Sequence, residues 1–318
     1  MATFINAFEI FYSSIAVTGP IFMAVLTGAF LRAFNLITDK FVEKLSTVVY
    51  WFILPATLFF GSLKLDPNSD LTSPYLLAGV LVTLLTIILS YFYARWRKVP
   101  FQHIGIFVQG AYRSNLGLVG LSLTIQAFGE TGLSIATLPV AIWTVTYNIL
   151  AVVILNVTLN QKQSVTSILK SLIRNPLIIA IVLGALVSYS RVEIPPAILT
   201  SGSFLAKFCL LFALLSVGAT LNLAHLRNNY REALEASIWK LLITPVISIA
   251  IALSMGISGM QLTIFFFLLS GPTATSSFLM VAAAGGNREL AADIVTLTTL
   301  TFPITITAGL LVLQATGV

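Results

Sequence analysis

Unbroken apolar runs of about membrane length are what most restrict the folds open to this chain. A helix needs about 20 mostly apolar residues to cross a bilayer. Ten such segments can be read, at about 8–31, 41–63, 74–94, 101–126, 133–157, 175–190, 197–222, 232–255, 259–284 and 290–315. Backbone groups in lipid have to be satisfied within their own segment, so each run is expected to be a helix. A β-barrel would alternate apolar and polar residues along each strand, and these runs do not. Only 9% of the residues are charged, against about a quarter in soluble domains. The expected class is an all-α polytopic membrane protein of ten transmembrane helices.

Basic residues orient the segments. The connections after segments one, three, five, seven and nine carry twelve: Arg32, Lys40, Lys44, Arg95, Arg97, Lys98, Lys162, Lys170, Arg174, Arg227, Arg231 and Arg288. The opposite connections hold only Lys64 and Arg191. The positive-inside rule puts the twelve in the cytoplasm and both termini outside. The same asymmetry accounts for the net charge of +6, which is therefore no sign of a nucleic-acid partner. Met1 to Phe8 contain no basic residue and no small-residue cleavage pattern follows, so no cleaved signal peptide is expected.

The two halves resemble each other. Gly19-Pro-Ile-Phe-Met-Ala-Val-Leu-Thr-Gly28-Ala29 aligns with Asn175-Pro-Leu-Ile-Ile-Ala-Ile-Val-Leu-Gly184-Ala185 at an offset of 156 residues. The same offset brings the Arg113-Ser114-Asn115 region onto Leu269-Ser270-Gly271, just ahead of Pro272-Thr273. Five spans separate the copies, and an odd number inverts the second. Residues 1–160 and 161–318 are thus expected to be two inverted five-helix repeats. Chance recurrence of prolines and small residues is the alternative. Inverted repeats with paired interrupted helices point to a substrate site near the bilayer midplane.

Both interruptions carry chemistry. Arg113, Ser114 and Asn115 lie midway along segment four, where a guanidinium costs about 2.5–3.5 kcal/mol even on a lenient scale. Such a cluster marks a path for a polar solute, and its charge is positive. Gly110, Gly117 and Gly120 are expected to loosen the helix around it. Segment nine contains Ser270-Gly271-Pro272-Thr273-Ala274-Thr275-Ser276-Ser277, whose proline lacks an amide hydrogen and obstructs the preceding turn. Broken helices leave free amides at the start of their second halves, and these favour an anion.

Asn115 and Thr273 are placed to donate hydrogen bonds to a carboxylate, with Arg113, Ser114, Gly271, Pro272 and Asn148 as further substrate-binding candidates. Two alternatives stay open: the hydroxyls of segment nine bond back to their own helix, and Arg113 holds carbonyls of a broken helix or snorkels to an interface. Asn115 is the preferred contact, because an uncharged amide binds a solute without trapping it. Lys207 and Lys240 are read as electrostatic or structural support, Lys240 standing shortly before Pro245. Thr298, Thr299 and Thr301 line the same cavity or serve as packing glue. Glu235, Asp293 and Glu9, the deepest acids, sit near segment ends. That argues against cation transport and weakens obligatory sodium or proton coupling.

Enzyme signatures are absent. His103, His225 and the single Cys209 form no metal-ligand spacing. No glycine loop ends in Gly-Lys-Ser/Thr, and no base stands beside a nucleophile at depth. No catalysis, cofactor or metal is expected, and one cysteine allows no intrachain disulfide.

Several motifs in order resemble the auxin efflux carrier family, the PIN-like transporters, in its short prokaryotic form. They are Phe52-Ile-Leu-Pro-Ala-Thr-Leu-Phe-Phe60, Tyr112-Arg-Ser-Asn-Leu-Gly-Leu-Val-Gly120, Asn175-Pro176, Lys240 to Pro245, and Ala282-Ala-Ala-Gly-Gly-Asn-Arg-Glu-Leu-Ala-Ala292. The resemblance spans essentially the whole chain. It implies a bile-acid-symporter-like fold in which helices 4 and 9 are broken and cross at the substrate site. It implies a scaffold from helices 1, 2, 6 and 7, a transport domain from helices 3–5 and 8–10, and elevator-like motion. Asn115 matches the family's crossover asparagine and Pro272 its ninth-span proline, whereas segment four has no crossover proline. Residues 158–174 form a short loop where plant carriers often have a long one, so auxin specificity is not carried over.

The expected function is secondary transport of a small mono- or dicarboxylate across the plasma (inner) membrane. A sodium-coupled organic-anion symporter and a non-transporting carboxylate-sensing receptor are the alternatives. The expected partners are the carboxylate and the lipid bilayer, and assembly as a homodimer is left open.

Overall fold

The computed structural model describes residues 19–20, 22–63, 73–159, 174, 176–190, 192, 194–219 and 230–315. Among them the regular structure is helical, joined by short turns, with one isolated bridge between the non-helical peptides at Ser114 and Thr273. In chain order the helices are α1 (Phe22–Ala33), α2 (Lys40–Ser62), α3 (Ser73–Trp96) and α4 (Phe101–Tyr112). Leu116–Leu159 follows as one helical stretch bent back on itself at Gly129, whose φ of 57° and ψ of −137° are not helical. Its two limbs are α5 (116–128) and α6 (130–159). The rest are α7 (Pro176–Tyr189), α8 (Pro196–Ala219), α9 (Tyr230–Ser254), α10 (Gly259–Ser270), α11 (Ser276–Ala283) and α12 (Arg288–Ala315). Five stretches are long and apolar enough to cross a membrane by length and composition: Lys40–Ser62, Pro74–Trp96, Leu116–Leu159, Tyr230–Ser254 and Arg288–Ala315.

Each apolar segment from the second to the tenth coincides with helix, and segments four and nine are each two helices with a gap. The start of segment one, Glu9, Lys64, Lys162, Lys170, Asn175, Arg191, His225 and Arg227 lie outside the described residues, as do the side chains of Lys207 and Cys209.

Close backbone contact holds α1, α2, α7 and α8 together, and it follows the offset seen in the sequence. A Cβ on Gly28 of α1 would lie 2.1 Å from the Leu215 carbonyl oxygen of α8. One on Gly184 of α7 would lie 2.5 Å from the Phe59 carbonyl oxygen of α2. Residues 28 and 184 are 156 apart, and so are 59 and 215. Small residues let membrane helices approach until dispersion between backbones replaces the hydrophobic effect that lipid does not supply. Exchanging the two halves maps one of these contacts onto the other.

The remaining helices share one continuous apolar core with Leu54 and Leu58 of α2, Leu177 and Ile181 of α7 and Leu214 of α8. Tyr75, Trp143 and Phe265 join α3, α6 and α10 through ring contacts of 5.4 to 5.9 Å, and the Trp143 indole N–H donates to the Leu76 carbonyl at 3.0 Å. The run Phe265-Phe266-Phe267 is buried in this core. Near the basic end, Arg97 after α3 pairs with Glu235 of α9, which also meets Arg231 one turn away at 3.3 Å. His103 of α4 contacts Glu232 at 2.7 Å. Solvent-screened pairs of this kind add little to stability.

Candidate functional site: the crossing of two broken helices

Helix α4 stops at Tyr112 and α5 begins at Leu116, while α10 stops at Ser270 and α11 begins at Ser276. The two connecting peptides run antiparallel and pair as a minimal β ladder. The Asn115 amide donates to the Pro272 carbonyl at 2.8 Å, and the Ala274 amide to the Arg113 carbonyl at 3.0 Å, bracketing the Ser114–Thr273 bridge. Arg113 is extended, with ψ 91°, and Asn115, with φ −78° and ψ 72°, is the centre of a tight turn closed by the Leu116 amide on the Ser114 carbonyl at 2.9 Å.

A buried helix end has to satisfy its last carbonyls, and here distant residues do so. Thr273 Oγ1 donates to the Gly110 carbonyl at 2.7 Å, and Thr244 Oγ1 to the Ala111 carbonyl at 3.0 Å. Lys240 Nζ donates to the Tyr112 carbonyl at 3.3 Å, the Leu269 carbonyl at 2.9 Å and Ser114 Oγ at 2.5 Å. Ser114 Oγ in turn donates to the Leu269 carbonyl. Segment four thus breaks without a proline, because its free carbonyls find donors on α9 and in the opposite break. The glycines expected to loosen it have another use. A Cβ on Gly110 would meet Ile294 at 2.8 Å, and one on Gly120 would meet the Leu268 backbone at 3.0 Å, so both permit close helix packing.

The first amides of the second halves are mostly met locally: Leu116 donates to the Ser114 carbonyl at 2.9 Å, Ser277 to the Ala274 carbonyl at 2.9 Å and Phe278 to the Thr275 carbonyl at 3.2 Å. Asn115 Oδ1 caps α5 by accepting from the Leu118 amide at 3.3 Å, and its carbonyl accepts from Val119 and Gly120 in a π turn over Leu116–Gly120. The starts of α5 and α11 both border a cavity of about 730 Å³. Its wall includes Tyr50, Leu54, Arg113, Ser114, Asn115, Gly117, Tyr147, Asn148, Asn156, Leu177, Thr275, Ser276, Met280 and Ala284. Arg113 is 5% exposed, and its Nη2 donates to Asn148 Oδ1 at 2.6 Å and to Ser276 Oγ at 3.1 Å, while Nη1 meets Met280 Sδ. These partners are neutral, and no carboxylate lines the cavity among the described residues. The guanidinium brings a net positive charge to an otherwise neutral wall.

The site candidates therefore divide. Arg113, Ser114, Asn115 and Asn148 reach the cavity wall. Gly271, Pro272 and Thr273 form the paired peptide behind it, and Ala274, Thr275 and Ser276 take the wall positions from segment nine. Thr298 accepts from the Thr273 amide at 3.2 Å, a supporting position rather than a lining one, and Thr301 is exposed. Lys240 does not reach the wall. Asp293, read as lying near a segment end, is 1% exposed although it stands early in α12. Thr144, Asn156 and Tyr147 were not singled out from sequence. Thr144, Asn148, Val152 and Asn156 recur every fourth residue on α6, which is the signal of one polar-edged helical face.

Packed apolar helices around a polar crossing that borders a cavity of about 730 Å³ are the architecture of a polytopic membrane protein. The sequence matches the family described as "Membrane transport protein" over residues 14–308, and the chain belongs to that family, which is auxin efflux carrier-like. It is 28% identical over 320 residues to a Rhizobium meliloti protein named "Putative malonate transporter", covering 93% of this chain and 98% of that one. It is 24% identical over 270 residues to an uncharacterized transporter of Methanocaldococcus jannaschii, covering 82% and 86%. An uncharacterized transporter of Methanothermobacter thermautotrophicus is 23% identical over 289 residues, covering 90% and 92%.

Proposed function

We propose that this protein is a secondary carrier for a small organic anion bearing a carboxylate. The observation that carries the reading is the Arg113 guanidinium. Among the described residues it has neutral partners only, and it faces a cavity on which the N-terminal ends of α5 and α11 converge. Guanidinium and helix N-termini together favour a planar anion. Asn148 and Ser276 position the guanidinium, and Asn115 presents its amide at the wall. The name of the Rhizobium meliloti relative agrees with a carboxylate cargo.

The reciprocal contacts Gly28–Leu215 and Gly184–Phe59 support two inverted five-helix repeats, residues 1–160 and 161–318. In this reading α1, α2, α7 and α8 are the scaffold, and the other helices form a transport domain that moves as an elevator. The basic connections face the cytoplasm of a plasma (inner) membrane and both termini lie outside. Asn156, Leu177, Met280 and Ala284 lie toward the basic ends of their helices, so the cavity opens inward.

Uptake of a panel of labelled mono- and dicarboxylates into proteoliposomes tests the proposal. Saturable flux of at least one is expected, and folded protein that moves none of them sinks the idea. Asn115→Asp keeps an acceptor for the α5 cap but sets a negative charge beside Arg113. Its melting temperature should stay within a few degrees of wild type while anion uptake falls more than tenfold. Asn115→Ala removes the cap, at a cost of about 1 kcal/mol, and should lower both. Equal uptake by Asn115→Asp and wild type would remove the anion from this part of the wall.

A further inference from the structure

Lys240 is fully buried, and its three ammonium hydrogens are matched by three neutral oxygens: the Tyr112 carbonyl, the Leu269 carbonyl and Ser114 Oγ. Both carbonyls belong to the C-terminal ends of half-helices, α4 and α10, where the helix dipole is negative. In carriers built on broken helices, such ends and unwound carbonyls are what coordinate a coupling cation. The side chain reaches them from a π turn at Trp239–Ile243, just ahead of Pro245, and Thr244 holds the neighbouring Ala111 carbonyl. Lys240 is absent from the cavity wall, so its charge is spent on the crossing and not on the cargo.

We propose that Lys240 is a tethered cation filling a monovalent-cation site formed by the Tyr112 carbonyl, the Leu269 carbonyl and the Ser114 hydroxyl. The crossing then assembles without a free coupling ion. A dissociable sodium or potassium ion in this position would link assembly of the site to an ion gradient, whereas a covalently attached ammonium cannot leave. Removing the side chain should uncover the site. The structural half of the inference stands on the geometry alone. Its consequence for transport rests on the carrier reading.

The test compares wild type and Lys240→Ala by thermal unfolding in sodium, potassium, propylammonium or N-methylglucamine chloride at one ionic strength. Wild type should melt at the same temperature in all four. Lys240→Ala should melt several degrees lower in N-methylglucamine, and recover saturably with at least one of the three smaller cations. A Lys240→Ala protein as stable as wild type in N-methylglucamine overturns the proposal, and so does a destabilised one indifferent to every cation. Should that variant not be recovered folded, Lys240→Ser, which also vacates the site and keeps a small polar group, is read by the same criteria. In proteoliposomes at clamped potential, wild-type flux should be unchanged when sodium and potassium are replaced by N-methylglucamine. A strict sodium requirement overturns the tethered-cation role. Absence of any flux speaks against the carrier reading and leaves the unfolding comparison to decide this one.

Discussion

Arg113→Met is expected to lower uptake about a hundredfold or more while leaving the melting temperature unchanged or raised. Each hydrogen bond between a guanidinium and a carboxylate contributes about 1.5–3 kcal/mol. Losing the pair costs on the order of 3 kcal/mol, or two powers of ten in affinity. Stability should move the other way. The guanidinium is 5% exposed and touches Asn148, Ser276 and Met280, none of them charged, so its desolvation is poorly offset in the empty protein. Replacing buried charge by an apolar side chain of similar volume is often neutral or stabilising. Arg113→Lys keeps the charge and loses the two-pronged geometry, so it should retain more uptake than Arg113→Met. Uptake and unfolding temperature measured on all three proteins decide the matter. A misfolded Arg113→Met would return Arg113 to a structural role, and unchanged uptake would remove it from the site.

The second large effect concerns α1, α2, α7 and α8. Gly184→Leu and Gly28→Leu should each abolish recovery of folded protein. The first added carbon would stand 2.5 Å from Phe59 O in one case and 2.1 Å from Leu215 O in the other, and backbone oxygens on two packed helices cannot step aside. The helices would have to part along their whole contact. Gly129→Ala is the contrasting variant. Nothing lies within 4 Å of an added Cβ, so the cost is the backbone strain alone, about 1–3 kcal/mol for an L residue held at φ 57° and ψ −137°. The variant should fold with a modestly lower melting temperature. Size-exclusion profiles in detergent separate the outcomes, and a monodisperse Gly184→Leu would show that α2 and α7 are not locked together.

The apolar runs made most helix positions legible, because lipid leaves the backbone almost no alternative. The break in segment nine was legible too, since Gly271-Pro272 carries its cause locally. The break in segment four was visible only as an anomaly. Its three carbonyl partners, Thr273, Thr244 and Lys240, lie more than 120 residues away, and no local pattern announces them. The glycines nearby misled for the same reason, since their use is close approach to Ile294 and Leu268 and not flexibility. Asn115 was noticed as a polar group at depth, but that its Oδ1 caps α5 follows only from where the helix restarts. The sequence leaves Arg113 open to two roles, because the charge of its partners depends on contacts made far along the chain.

The unneutralised guanidinium has an electrical consequence. If the crossing moves across the membrane as one body, its net charge differs by one unit between the empty trip and the trip with a monoanion aboard. Moving that unit through the full potential involves about 2.3 kcal/mol per 100 mV. For a monoanion the more positive empty return then feels the field more strongly than the loaded step. A negative interior should hold empty carriers facing inward and slow their return. Transient currents on voltage steps should accordingly be large without cargo and shrink as the anion saturates the site.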